Sequence, residues 1–240
     1  MEPIRLGALL PGSVLVGDGI NRAQRGVART ARGDVPAIVK IVPPRELAVE
    51  LLCAALGRHL GLPVPEPLLI SVPGAGLAFG SADAGHPSLR HLLANDADVR
   101  VLERLQNWTK LESAASFDDL IANPDRHIGN VLYDGEGQFW LIDHGLALAF
   151  GMSPATAVNN ILLGIARNGR DELALQRLKR TMLDLAGTYR KDDIESAAER
   201  VPALPCVAEL VDFLVARLTH LSGIARQRLR TRQQDLDYGG

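Results

Sequence analysis

The feature that most constrains this chain is a short hairpin with polar residues gathered at its open end. VLYD, a DGEGQ turn and FWLID read as two antiparallel strands joined tightly. Asn130 immediately precedes the first strand and Asp143 ends the second, so pairing brings both to one end. The loop Asn123-Pro124-Asp125-Arg126-His127-Ile128-Gly129 feeds into that same end, and Ile142-Asp143-His144-Gly145 leaves it.

Taken singly, Asn-Pro-Asp reads as a turn and Asp143 as a cap for the next segment. Taken together, Asp125, Asn130 and Asp143 supply a carboxylate and hard oxygen donors at one place. Phosphoryl transfer needs that set: a carboxylate near the attacking hydroxyl, and oxygen ligands for Mg²⁺ to neutralise nucleotide phosphates. A zinc hydrolase built on His127 and His144 is disfavoured, because no third histidine stands at a plausible spacing.

Upstream, residues 4–72 carry short β-type runs broken by glycine (IRLGALL, SVLVGDG, RGVART, PAIVKIV), which predict a small antiparallel sheet. Pro43-Pro44 stops the last run, and apolar residues at helical spacing predict a helix over 46–60, ending at Gly61. PEPLLISV and GLAFGS read as two further strands. From Leu89 to Ala122, and again beyond Pro154, the periodicity is helical. The expected fold is α+β and bilobal: a β-rich N-lobe with one helix over 1–80, then a helical C-lobe over 81–240 that carries the hairpin, the boundary falling near Gly80.

Two charged residues in this upstream part stand out. Lysine is scarce in the chain, yet Lys40 ends the apolar run PAIV. Glu50 lies on the helix with Leu47, Cys53 and Ala54 three or four positions away, so its carboxylate needs a partner. Pairing with Glu50 is a reason to bury Lys40; the plain alternative is an edge-strand lysine extending to solvent.

Composition excludes several classes. At 240 residues, 47% apolar and 22% charged, the chain can bury a core and is neither disordered nor fibrous. Its apolar runs are too short for a membrane span, no signal pattern opens it, and the cytoplasm is the expected compartment. Cys53 and Cys206 form no CxxC pair and are expected to pack as small apolar side chains. A formal charge of −2 gives no strong nucleic-acid signal, and Arg226, Arg228, Arg230 and Arg232 read as a solvated helix end.

Asp-Arg-His-x-x-Asn followed by Asp-x-Gly resembles the protein-kinase-like superfamily, in the variant shared by phosphatidylinositol kinases and HipA-type serine/threonine kinases. Asn123-x-Asp125-x-His127-x-x-Asn130 is especially similar to HipA, and ELLCAALGRHLGLPVPEP, which holds Glu50, looks like the HipA-type helix. The resemblance implies that Lys40 contacts ATP phosphates, that Glu50 holds Lys40, that Asp125 is the catalytic base, and that Asn130 and Asp143 bind Mg²⁺. It implies an orienting role for His127. Gly17, Gly19 and Asn21 resemble the phosphate-covering loop, although a hairpin turn selects Asp-Gly equally well. Gly129 departs from the pattern, standing where many HipA proteins carry Lys, and His144 replaces the Phe of the commoner Asp-Phe-Gly.

The expected activity is ATP- and Mg²⁺-dependent transfer to a protein hydroxyl, with ATP and a phosphoacceptor as partners. A small-molecule or lipid kinase, and a nucleotide-binding pseudokinase, are the alternatives. Ser13, Thr30 and Ser81 are hydroxyls expected near the cleft.

Overall fold

The computed structural model describes residues 2–16, 23–94 and 100–229. Strands β1 (Arg5–Leu9), β2 (Val14–Leu15), β3 (Gln24–Thr30) and β4 (Gly33–Lys40) lead into helix α1 (Pro44–His59), followed by β5 (Pro67–Val72) and β6 (Gly76–Ala82). The sheet order is β1-β5-β6-β4-β3-β2, and β1 also pairs with β3, so five strands form a closed ring of pairings. Neighbouring strands are antiparallel except β1 and β5, which run parallel with Gly7 opposite Ile70. The expected purely antiparallel sheet is therefore corrected. The connection between β1 and β5 includes α1, a crossover of the kind a parallel pair requires.

Period-two alternation divides the strand residues between two environments. Leu9, Ala28, Ala37, Val39, Leu68, Ile70, Val72 and Ala78 cluster inside the ring. That interior is tight: a Cβ on Gly80 would lie 2.6 Å from Ile70 Cγ1, so glycine lets the walls approach. Gly80 pairs with Val39 and Leu68 within β6. Leu69 and Phe79 alternate to the outer face, where they join the larger apolar cluster built around α1.

Helix α1 begins with proline in its first turn, where the missing N–H costs nothing, and carries Arg58 and His59 in its last turn. Residues 47–57 are buried on every side, so the helix needs partners all round. It packs on β5 and β6 and against two C-terminal helices, α7 (Lys191–Ala198) and α8 (Val207–Leu218).

After β6 come α2 (Leu89–Ala94), α3 (Arg100–Gln106) and α4 (Leu111–Leu120), then a 3-10 turn (Ile128–Asn130) and the hairpin β7 (Val131–Tyr133) with β8 (Phe139–Leu141). The Asp134 side chain accepts from the N–H groups of Glu136, Gly137 and Gln138, which closes the hairpin turn. Helices α5 (Ile161–Arg167), α6 (Glu172–Thr188) and α9 (Leu221–Arg228) complete the helical part, with Asn160 and Asp171 capping α5 and α6 through their side chains. Among the described residues no helix is long and apolar enough to cross a membrane.

Other sequence expectations shift. Arg226 is exposed as expected, but Arg228 is largely withdrawn from solvent, its guanidinium turned inward to Asp119 with Nε 3.3 Å from Oδ1; Arg230 and Arg232 lie outside the described residues. Cys53 is fully buried, whereas Cys206 is half-buried at a left-handed residue (φ 70°) that opens α8. Thr30 pairs with Gly33 at the end of β3 and β4 opposite Lys40, its hydroxyl donating to Gly33 O, so it does not face the site.

Candidate active site

Lys40 is the last residue of β4, Glu50 lies in the middle of α1, and Asp143 comes just after β8; three separate elements meet here. Lys40 Nζ stands 2.9 Å from Asp143 Oδ1 and 3.5 Å from Glu50 Oε1. Glu50 is wholly buried, while the Asp143 side chain keeps 35% exposure and opens the cluster to solvent. Burial opposes the charge on Lys40, but Glu50 and Asp143 outweigh it and leave its pKa above the ordinary lysine value. Burial would raise Glu50, yet its contact with His144 and the Lys40 charge bring it down to about 2.

The Glu50 carboxylate has a second anchor, because His144 N–H donates to Oε2 at 2.9 Å. This bond depends on the turn at Asp143, which adopts φ 61°, a left-handed conformation that aspartate tolerates better than most residues. The His144 ring is buried, edge-on to Phe117 with centroids 6.0 Å apart. Burial lowers its pKa and disfavours the imidazolium. Gly145 permits a close approach of α1: a Cβ there would lie 2.7 Å from Glu46 Cγ.

The loop before the hairpin is held by a buried ion pair that the sequence motifs did not assign. Arg126 Nε and Nη2 donate to Asp118 on α4, and both side chains are fully buried. Arg126 Nη1 donates to the carbonyls of Asn130 and Ile142, at 3.1 and 2.6 Å. One guanidinium thus ties the residue before β7 to the residue after β8. The available signal was a charge spacing, Asp118 and Arg126 eight positions apart on either side of the apolar run Leu120-Ile121-Ala122.

Asn123 Oδ1 accepts from Asp125 N–H at 3.1 Å, and Asn130 Nδ2 donates to Asp125 O at 3.1 Å. The loop is thereby fixed at both ends, and the Asp125 side chain is partly exposed. Among the described residues no cation pairs with the Asp125 carboxylate. His127 Nδ1 accepts from Gly129 N–H at 3.0 Å and caps the 3-10 turn. Lys40, Glu50 and Asp143 thus form one cluster, while Asp125, His127 and Asn130 belong to the loop that Arg126 ties to the base of Asp143. Gly17, Gly19 and Asn21 lie outside the described residues.

The donors present suit a hard cation. Asn130 uses its amide nitrogen on Asp125 O, which leaves its carbonyl oxygen available, and one Asp143 oxygen faces Lys40 while the other does not. Two protein oxygens match Mg²⁺, which keeps waters and phosphate oxygens as its remaining ligands. Among the described residues no group of three or more His, Cys, Asp or Glu is placed to hold a metal without such help. A cavity of about 630 Å³ lined by Glu103, Arg104, Trp108, Tyr133 and Gln138 lies by the hairpin turn, at the opposite end of β7 and β8 from Asn130 and Asp143.

No curated protein matches the chain. Among solved structures, the Helicobacter pylori proinflammatory kinase CtkA superposes with a TM-score of 0.61 at 15% identity, covering 92% of this chain and 95% of its own. That likeness shows an α+β fold similar to that of this kinase structure. The family model for HipA-like kinases matches residues 38–204, a span that includes Lys40, Glu50, Asp125, Asn130 and Asp143. The chain belongs to the HipA-like kinase family.

Proposed function

We propose that the protein is an ATP- and Mg²⁺-dependent serine/threonine protein kinase. The observation that carries this reading is Lys40 held between buried Glu50 and partly exposed Asp143, with Asp143 tethered through Arg126 to the loop bearing Asp125 and Asn130. In this reading the ring of strands and the helical part act as two lobes about the nucleotide, divided near residue 80, and Gly19 and Asn21 contribute to nucleotide binding.

Each side chain has a task set by its surroundings. Lys40 presents a permanent cation to the nucleotide phosphates, and Glu50 fixes its direction. Asp125 receives the proton of the attacking hydroxyl and orients the oxygen. His127 accepts from Gly129 N–H through Nδ1 and so stiffens the loop. Asn130 and Asp143 would hold Mg²⁺, which when bound neutralises phosphate charge during transfer.

The test is transfer of label from γ-labelled ATP to lysate proteins, with and without Mg²⁺, by wild type, Asp125→Ala and Asp143→Asn. Metal-dependent phosphoserine or phosphothreonine made only by wild type is the expected result. Label confined to lipids or metabolites would remove the protein-kinase reading, and nucleotide binding without any transfer would identify a regulatory module.

A further inference from the structure

Phosphoryl transfer spreads negative charge over the equatorial oxygens of the moving group, and fixed cations aimed at that position supply most of the stabilisation. Among the described residues the cluster around Lys40 is poor in such cations. Lys40 already faces two carboxylates, Glu50 and Asp143. Arg126 is fully buried and committed to Asp118, Asn130 O and Ile142 O.

Arg90 is differently placed. It projects from α2, whose position is fixed by fully buried Leu89, by a bridge between Ser88 and Leu132, and by Tyr133 N–H donating to Pro87 O at 3.1 Å. Helix α2 packs on the 3-10 turn Ile128–Asn130, so the exposed Arg90 side chain lies on the loop between Asp125 and Asn130. Its Nη2 is 3.4 Å from His127 Nδ1, and its Nε would be 3.2 Å from a Cβ on Gly129. A side chain at 129 would also press on the His127 ring, whose Cε1 and Nδ1 would lie 2.8 and 2.9 Å away. Glycine at this position keeps the space that the guanidinium occupies. Among the described residues no carboxylate pairs with Arg90, and its contact to His127 is long enough to be weak.

We infer that Arg90 is a catalytic residue that leaves His127 to bind the terminal phosphoryl group of a nucleoside triphosphate, stabilising its charge during transfer. The inference rests on the kinase reading and adds to it a cation from outside the loop and hairpin. Arginine suits the task because its planar fork binds two phosphate oxygens at once and stays charged at any working pH.

The experiment compares binding of Mg·ADP with binding of Mg·ADP plus aluminium fluoride, which mimics the transferring phosphoryl group, by titration calorimetry. Wild type is expected to bind the fluoride complex more tightly. Arg90→Ala is expected to bind Mg·ADP alone as wild type does, but to lose about 100-fold of that gain. Millimolar guanidinium should restore part of the lost gain, which loss of a merely structural residue would not allow. Arg90→Ala that keeps the whole gain, or wild type that binds Mg·ADP yet shows no gain, overturns the Arg90 inference and leaves the kinase reading standing. Wild type that binds no nucleotide overturns both.

Discussion

Asp118→Asn removes one charge and almost no volume, and it should be among the most damaging substitutions in the chain. The Arg126 guanidinium keeps its burial and loses the only carboxylate among the described residues to which it donates. Leaving one member of a buried pair unpaired costs about 3–5 kcal/mol. In a domain of this size each kcal/mol moves the melting temperature by about 2–4 °C, so a fall of roughly 6–20 °C is expected. Asp118→Leu with Arg126→Met removes both charges. The Asn130 carbonyl then still accepts from Ile142 N–H; Ile142 O loses its partner, a loss of about 1–3 kcal/mol, and Asn123 Nδ2 loses its long 3.4 Å bond to Asp118 Oδ1, which costs less. The double variant should therefore melt above the single one, yet transfer phosphate poorly, because Asn130 and Asp143 lose their common tether. Calorimetry and denaturant titration measure the first effect and labelled ATP the second. A single variant within about 1 kcal/mol of wild type, or a double variant less stable than the single, would refute the reasoning.

Glu50 gives a pH signature. Its folded pKa of about 2 lies below the ordinary 4.5, so its contribution is present above about pH 4.5 and is lost as pH falls towards 2. Glu50→Gln should flatten that acid limb of the stability curve by on the order of 3 kcal/mol, measured by denaturation at stepped pH. Lys40→Met should lower phosphotransfer by about 100-fold or more while the circular dichroism spectrum is retained. Gly80→Ala should cost about 1–3 kcal/mol by overpacking against Ile70 inside the ring of strands, read as a lower denaturant midpoint with unchanged slope. Arg217→Met should destabilise by at least about 2 kcal/mol, because this buried guanidinium donates to the carbonyls of Asp119, Pro154 and Thr156 and joins α8 to the segment before α5.

The range of each interaction decides whether the sequence discloses it. The hairpin was legible because its register is local: Tyr133 opposes Phe139 across a turn that Asp134 closes by itself. Helix α1 was legible to within two residues at its start and one at its end, since Pro44 and Gly61 mark its limits. The pairing of Lys40 with Glu50 could be anticipated because each is a charge in an apolar context, and burial leaves such a charge few choices. Closure of the strands into a ring was hidden, since the contact of β1 with β5 joins residues some sixty positions apart. No local pattern of apolar residues encodes a partner at that distance.

The less visible residues share one property: each acts on backbone that another residue's chemistry requires. Asp125, Asn130 and Asp143 are recognisable because carboxylates and amides at a hairpin end have few structural reasons to gather. Arg126 and Asp118 are equally necessary to that gathering, but their work is done on the carbonyls of Asn130 and Ile142 and by salt-bridge geometry across eight residues. Backbone acceptors carry no sequence signature, so an arginine serving them reads like any other. Gly129 shows the same limit from the opposite side. A missing side chain looks like a lost function until the fold shows that Arg90 from α2 occupies the space it leaves. The place of the Arg90 charge beside the loop is therefore decided by which element packs on it, and only the tertiary structure carries that information.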